Sequence, residues 1–193
     1  MDLFNKDNSI LNEIINLNYK ASLVITGGGS STISSLLLIP GASNFILEAQ
    51  IPYSKKSLER YLDCEVKTTC NTIVSIQLAR TAKKRADFLN HEKKYNIGIS
   101  CTSALKTNRI RAGGDRAHIS IFIHKKIFYK YIRLKTLTRF EQEKEISFYI
   151  LNFIKETIGW MREDIKKIIN GEEKQILIRT TNFRKPYLIL SGS

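Results

Sequence analysis

Leu23-Val24-Ile25-Thr26-Gly27-Gly28-Gly29-Ser30-Ser31-Thr32 is the stretch that decides the fold. Leu23, Val24 and Ile25 form an apolar run too short for a helix and rich in branched side chains, which reads as a buried strand. The glycines that follow let the backbone adopt positive φ and let another group approach without meeting a Cβ atom. Helical spacing resumes from Ser30 to Leu38, and Pro40-Gly41 stops it. A strand that turns tightly into a helix leaves the first helical amides free, and the helix dipole favours negative charge there. The hydroxyls of Thr26, Ser30 and Ser31 add donors. The expectation is a phosphate seat at Gly27, Gly28, Gly29, Ser30 and Ser31. It is not a P-loop, because no Gly-Lys-Ser/Thr follows, and Thr32 stands where a dinucleotide fingerprint needs its third glycine.

Outward from this unit the chain alternates strands and helices. Ser9–Tyr19 carries Ile10, Leu11, Ile14, Ile15 and Leu17 at helical spacing behind Ser9 as N-cap. Phe45–Ile51 reads as a second strand closed by Pro52. Ser54 caps a short helix to Leu62, and Thr72–Leu89 is a long amphipathic helix. Asn96–Cys101 is a third strand. Ala117–Ile123 and Ile127–Leu134 both alternate, and His124-Lys125-Lys126 joins them as a hairpin. Arg139–Ile158 is a helix, Gly159–Asn170 another, and Gln175–Arg179 and Tyr187–Leu190 are short strands. The pattern predicts an α/β fold of three layers, α/β/α, around a mixed central sheet.

The chain has 193 residues, of which 42% are hydrophobic and 25% charged, enough to bury one core without disulfides. No apolar run reaches the roughly 18–20 residues of a membrane span, and the N-terminus lacks the basic and apolar blocks of a secretory signal. Cys64, Cys70 and Cys101 have no CxxC spacing, so reduced thiols in a cytoplasm are expected. With 31 Lys+Arg against 18 Asp+Glu the net charge is +13, a field that draws anions from phosphorylated metabolites to nucleic acid. A Lys-, Asn- and Ile-rich composition also produces such a charge without any partner.

Thr26–Asp63 reads TGGGSSTISSLLLIPGASNFILEAQIPYSKKSLERYLD and resembles the C-terminal domain of the CinA (competence/damage-inducible) family, several members of which are nicotinamide-mononucleotide deamidases. That family has a strand ending in Glu-Ser-Cys-Thr-Gly-Gly, a helix, a Pro-Gly-Ser-Ser loop, a strand and then Thr-Tyr-Ser. The blocks fall here at the same spacing, and the order of elements agrees to about Ile158. The family's serine falls on Thr26, its Pro-Gly-Ser-Ser on Pro40-Gly41-Ala42-Ser43 and its Tyr-Ser on Tyr53-Ser54. The lysine that follows falls on Leu58, with Lys55 and Lys56 nearby as substitutes. Its Thr-Gly-Ile-Ala-Gly-Pro is replaced by Thr102-Ser103-Ala104-Leu105-Lys106-Thr107.

The resemblance implies an amidohydrolase acting on a phosphorylated pyridine nucleotide, with Thr26 as nucleophile, Lys55 or Lys56 as base, and Tyr53 and Thr102 as positioning donors. Ser43 and Ser54 join the glycine turn as substrate contacts, and the basic loop Lys106–Arg116 supplies Arg109 and Arg111 to grip phosphate. Residues 1–158 would form the CinA C-terminal-like domain. Residues 159–193 would form a helix and short strands, with Pro186–Ser193 resembling the opening of a nucleotidylyltransferase-like domain. No cofactor is expected. His91, His118 and His124 are scattered, so no metal is expected either. Cys101 reads as a small buried residue or as a nucleophile. The altered first and third blocks leave a catalytically inactive nucleotide-binding domain as the alternative. The basic segments Lys83-Lys84-Arg85, Lys106–Arg116 and Lys125–Arg139 leave a nucleic-acid-binding module as a second, less favoured one. No membrane partner is expected, and association into a homo-oligomer is.

Overall fold

A computed structural model describes residues 8–92, 95–108, 113–134, 138–169 and 187–190. Its elements are α1 (Asn8–Ile15), β1 (Lys20–Thr26), α2 (Ser31–Leu37), a 3-10 turn (Ala42–Asn44), β2 (Ile46–Gln50), α3 (Lys55–Leu62), α4 (Thr72–Leu89), β3 (Asn96–Ala104), β4 (Arg116–Ile123), β5 (Lys126–Arg133), α5 (Arg139–Ile169) and β6 (Tyr187–Leu190). The strands form one sheet in the order β2-β1-β3-β4-β5-β6. β2, β1 and β3 are mutually parallel, and β4, β5 and β6 continue antiparallel. The expected mixed sheet is therefore present. The expected strand over 175–179 lies outside the described residues.

β1 is buried along its length because it sits inside the sheet with helices on both faces. Its odd positions, Ala21, Leu23 and Ile25, join α1, α2 and α5 in the larger core with Ile97, Ile99, Ile119, Ile121, Ile150 and Phe153. Val24 points the other way, into a smaller core with Leu58, Val74, Leu78 and Ala82 from α3 and α4. That second face is unusually polar. Ser75 of α4 meets Ser120 at 2.7 Å, and the hydroxyl of Ser100 donates to the carbonyl of Ser75 at 2.7 Å. Small side chains bring α4 close, and at Gly98 a Cβ would overlap the backbone of Ala79 and Lys83.

Local chemistry sets the boundaries. Ser54 caps α3 by accepting from Ser57 N–H, and Asn71 caps α4 by accepting from Val74 N–H at 2.8 Å. α1 stops four residues short of the expected Tyr19, and Asn18 then turns the chain with φ +58° into β1. The expected break between Ile158 and Gly159 is absent. α5 runs straight through, because a glycine costs a helix only about 1 kcal/mol while Ile158 and Met161 on either side are buried. His124 does not share a strand face with His118; it sits in the hairpin turn at φ +52°.

Candidate functional site

The C-terminal ends of β1, β2 and β3 meet at one edge of the sheet, the edge where open α/β folds bind ligands. Four segments converge there: the turn Gly27–Ser30, the stretch Pro52–Lys56, the loop Leu105–Asn108 and the first turn of α5. The glycine turn is not an open anion seat. The Glu143 carboxylate of α5 fills it, accepting from Gly29 N–H at 2.7 Å, Ser31 N–H at 2.9 Å, and the hydroxyls of Ser30 and Ser31 at 3.0 and 3.2 Å. The next amides are also taken, Thr32 N–H by Gly29 and Ile33 N–H by Ser30.

This corrects the assignment of Gly27, Gly28, Gly29, Ser30 and Ser31 to phosphate binding. The same physics operates, with the protein's own carboxylate as the anion. The glycines serve close packing. Gly27 (φ +86°) lies against the Ser103 carbonyl and Gly29 (φ +94°) against Ile146 and Ile150.

The hydroxyls expected to act are also occupied. Thr26 and Thr102 sit side by side in register on the α4 face of the sheet. The Thr26 hydroxyl donates to the Pro52 carbonyl at 3.0 Å, and that of Thr102 to the Thr69 carbonyl at 2.6 Å. Lys55 and Lys56 are exposed, and Lys55 pairs with Glu59 one turn along its own helix at 3.5 Å. Leu58, at the place of the family's lysine, is packed in the smaller core. No described lysine ammonium bonds to either threonine hydroxyl. Ser43 lies at the opposite end of the sheet, where its carbonyl accepts from Lys20 at the start of β1. Parallel strands put the entry to β2 a strand's length, roughly 20 Å, from the exit of β1. Ser54 spends its hydroxyl on the α3 cap. Arg109 and Arg111 lie outside the described residues.

What does gather at the edge is a group of side chains from α5. The Arg139 guanidinium donates to the carbonyls of Lys106 (3.2 Å) and Gly27 (3.3 Å) and to the Tyr53 hydroxyl (3.2 Å). Buried Gln142 accepts from Lys106 N–H and donates to Asp115, both at 2.8 Å. Beside them Lys106, Thr107, Asn108, Thr138 and Arg139 line a cleft of about 490 Å³. Sequence reading gave α5 no role. The available signal was Gln142 and Glu143 standing on the same helical face as Ile146 and Ile150, polar residues on an apolar stripe.

No family model and no curated protein matches the sequence. Solved structures match its fold. A competence/damage-inducible protein of Agrobacterium tumefaciens superposes with TM-score 0.59 at 15% identity, over 80% of this chain and 90% of that one. A CinA superfamily protein of Klebsiella pneumoniae gives 0.63 at 9%, over 78% and 93%. One of Enterobacter cloacae gives 0.61 at 12%, over 80% and 97%. The chain has the CinA fold.

The remaining candidates are packed or paired within the fold. Burial pushes the Cys101 thiol well above its ordinary range, which suits a packing residue rather than a nucleophile. His118 is buried beneath Tyr131, with Nδ1 2.7 Å from the Tyr129 hydroxyl; burial, aided by the nearby Arg116 charge, lowers its pKa to about 4. The basic segments are partly neutralised. Lys83 is buried and paired with Asp87 at 2.5 Å, Arg85 is paired with Glu48, and Lys130 with Glu156 at 3.0 Å. Arg116 donates to the carbonyls of Gly114 and Cys70. Among the described residues no three metal-ligating side chains cluster, and no helix is long and apolar enough to cross a membrane.

Proposed function

We propose that the chain binds a phosphorylated small molecule, a nucleotide in the first instance, in the cleft bounded by Lys106–Asn108 and Thr138–Arg139, without hydrolysing it. Arg139 carries this reading. Three acceptors fix its guanidinium at the cleft mouth, and among the described residues no carboxylate pairs with it. A guanidinium oriented by neutral acceptors keeps its full charge for a phosphate, and its Nε–H and second Nη1 hydrogen are not spent on those three acceptors. The cleft is of the size that small ligands occupy.

Amide hydrolysis of a pyridine nucleotide, the activity implied by the sequence resemblance, needs a nucleophile or activated water within reach of a base, and the resemblance assigns these roles to Thr26 and a lysine. The hydroxyls of Thr26 and Thr102 are committed to backbone carbonyls, and Leu58 replaces the lysine that the resemblance calls for. The binding reading is therefore preferred to the deamidase reading.

Thermal melting against a nucleotide panel, with ammonia release from nicotinamide mononucleotide measured alongside, tests the choice. A nucleotide at 100 times its dissociation constant adds about 2.7 kcal/mol, an upward shift of about 5–10 °C for a chain of this size. The expected result is such a shift without ammonia, abolished in Arg139→Ala. Ammonia release would restore the deamidase reading, and a flat panel would reject both.

A further inference from the structure

A second recess lies away from this cleft, on the outer side of edge strand β2. It has a volume of about 420 Å³ and is lined by Gln50, Ile51, Pro52, Ser57, Arg60, Tyr61 and Arg85. Its walls come from the exit of β2, one face of α3 (Ser57, Arg60 and Tyr61, at i, i+3 and i+4) and a side chain of α4.

The polar groups here are unbalanced. Glu48 is the carboxylate at the rim, and its acceptors are spent: it takes the Ser22 hydroxyl at 2.8 Å, Gln50 Nε2 at 3.2 Å, Arg85 Nη2 at 2.6 Å and Arg85 Nε. Burial pulls its carboxyl upward, but the hydrogen bonds from Arg85, Ser22 and Gln50 prevail and hold it below the usual carboxylate range. Arg85 is locked in a fork by this pair and stands over the Tyr61 ring at 5.9 Å, leaving its Nη1 unspent on Glu48. Arg60 has no acceptor among the described residues. The Ser57 hydroxyl and the second N–H of Gln50 complete a set rich in donors and poor in acceptors. One unneutralised guanidinium, a second held rigid by a saturated carboxylate, and two neutral donors around a recess match a tetrahedral oxyanion.

We propose that this recess is a second anion site that takes the phosphate group of a small phosphate monoester, with Arg60 as its principal charge and Arg85 as its preoriented partner. It stands independently of the Arg139 cleft. Glu48 is the device that makes it work, since it positions Arg85 without presenting a free negative charge.

The test is an amide-shift titration of the full chain with glycerol 1-phosphate, glycerol serving as the uncharged control, on wild type, Arg60→Gln and Arg139→Ala. The expected result is saturable movement of the amides around Gln50–Ile51, Ser57–Tyr61 and Arg85 with the phosphate ester only. That movement should persist in Arg139→Ala and weaken at least tenfold in Arg60→Gln. Arg60 is exposed, so the glutamine variant should keep the wild-type spectrum elsewhere. No saturable movement, equal movement with glycerol, or movement unchanged in Arg60→Gln would each overturn the proposal.

Discussion

Replacing Glu143 by alanine removes one carboxylate from four donors at once. The Ser30 and Ser31 hydroxyls can swing to water, but the amides of Gly29 and Ser31 are fixed by the turn. An amide that loses a charged acceptor forfeits about 1.5 kcal/mol, so two forfeit about 3 kcal/mol, and water entering the vacated space returns a part of it. The expected cost is about 2–3 kcal/mol, which lowers the melting midpoint by about 5–10 °C for a chain of this size. Glu143→Gln should fall between wild type and alanine, because its amide offers one acceptor oxygen where the carboxylate offers two. Differential scanning calorimetry of the three proteins at neutral pH gives the comparison. A Glu143→Ala protein melting within about 1 °C of wild type would show that the carboxylate does not hold the turn, and the glycine segment would again be open to an external anion.

Gly27→Ala should be more damaging, because the new methyl overlaps the Ser103 carbonyl at a backbone φ of +86°. A loss of about 3 kcal/mol or more is expected from strain and overpacking together, readable as a fall in soluble yield and denaturation midpoint. The pH response should centre on His118. Its folded pKa of about 4 lies below the unfolded value of 6.5, so the fold favours the neutral ring. The associated stability is whole above pH 6.5 and drains away as pH falls toward 4, by up to about 3 kcal/mol at 1.36 kcal/mol per unit. Urea titrations across that window should show the loss in wild type and a flatter profile in His118→Gln.

The layers of the fold were legible because burial imposes periodicity. β4 alternates as Ile119, Ile121 and Ile123 against His118 and Ser120, and the apolar run Leu23–Ile25 announces a strand covered on both sides. Of the candidate site, the sequence announces the segments that converge at the sheet's end but not their partners. Glu143 lies 114 residues from Gly29, and no local rule connects them. The turn's amides and hydroxyls call for an anion in the sequence; that Glu143 of the same chain supplies it is a tertiary fact. The error at Ser43 was avoidable, since two parallel strands necessarily place the entrance of one away from the exit of the other. The fate of Leu58 was legible too, because a leucine one turn into an amphipathic helix belongs to the core.

Gly98 has a consequence for how the molecule can deform. With no side chain there, the α4 backbone rests directly on β3, and no pliable layer separates helix from strand. The two must translate as one body, since neither can sink or lift without breaking contact between main chains. The proposed cleft is lined instead by Lys106–Asn108, Thr138 and Arg139, where Arg139 and Gln142 tether the Lys106 loop by hydrogen bonds that can be exchanged one at a time. Any change in the width of that proposed cleft is thus a matter for these tethers, while α4 and β3 behave as one fixed slab.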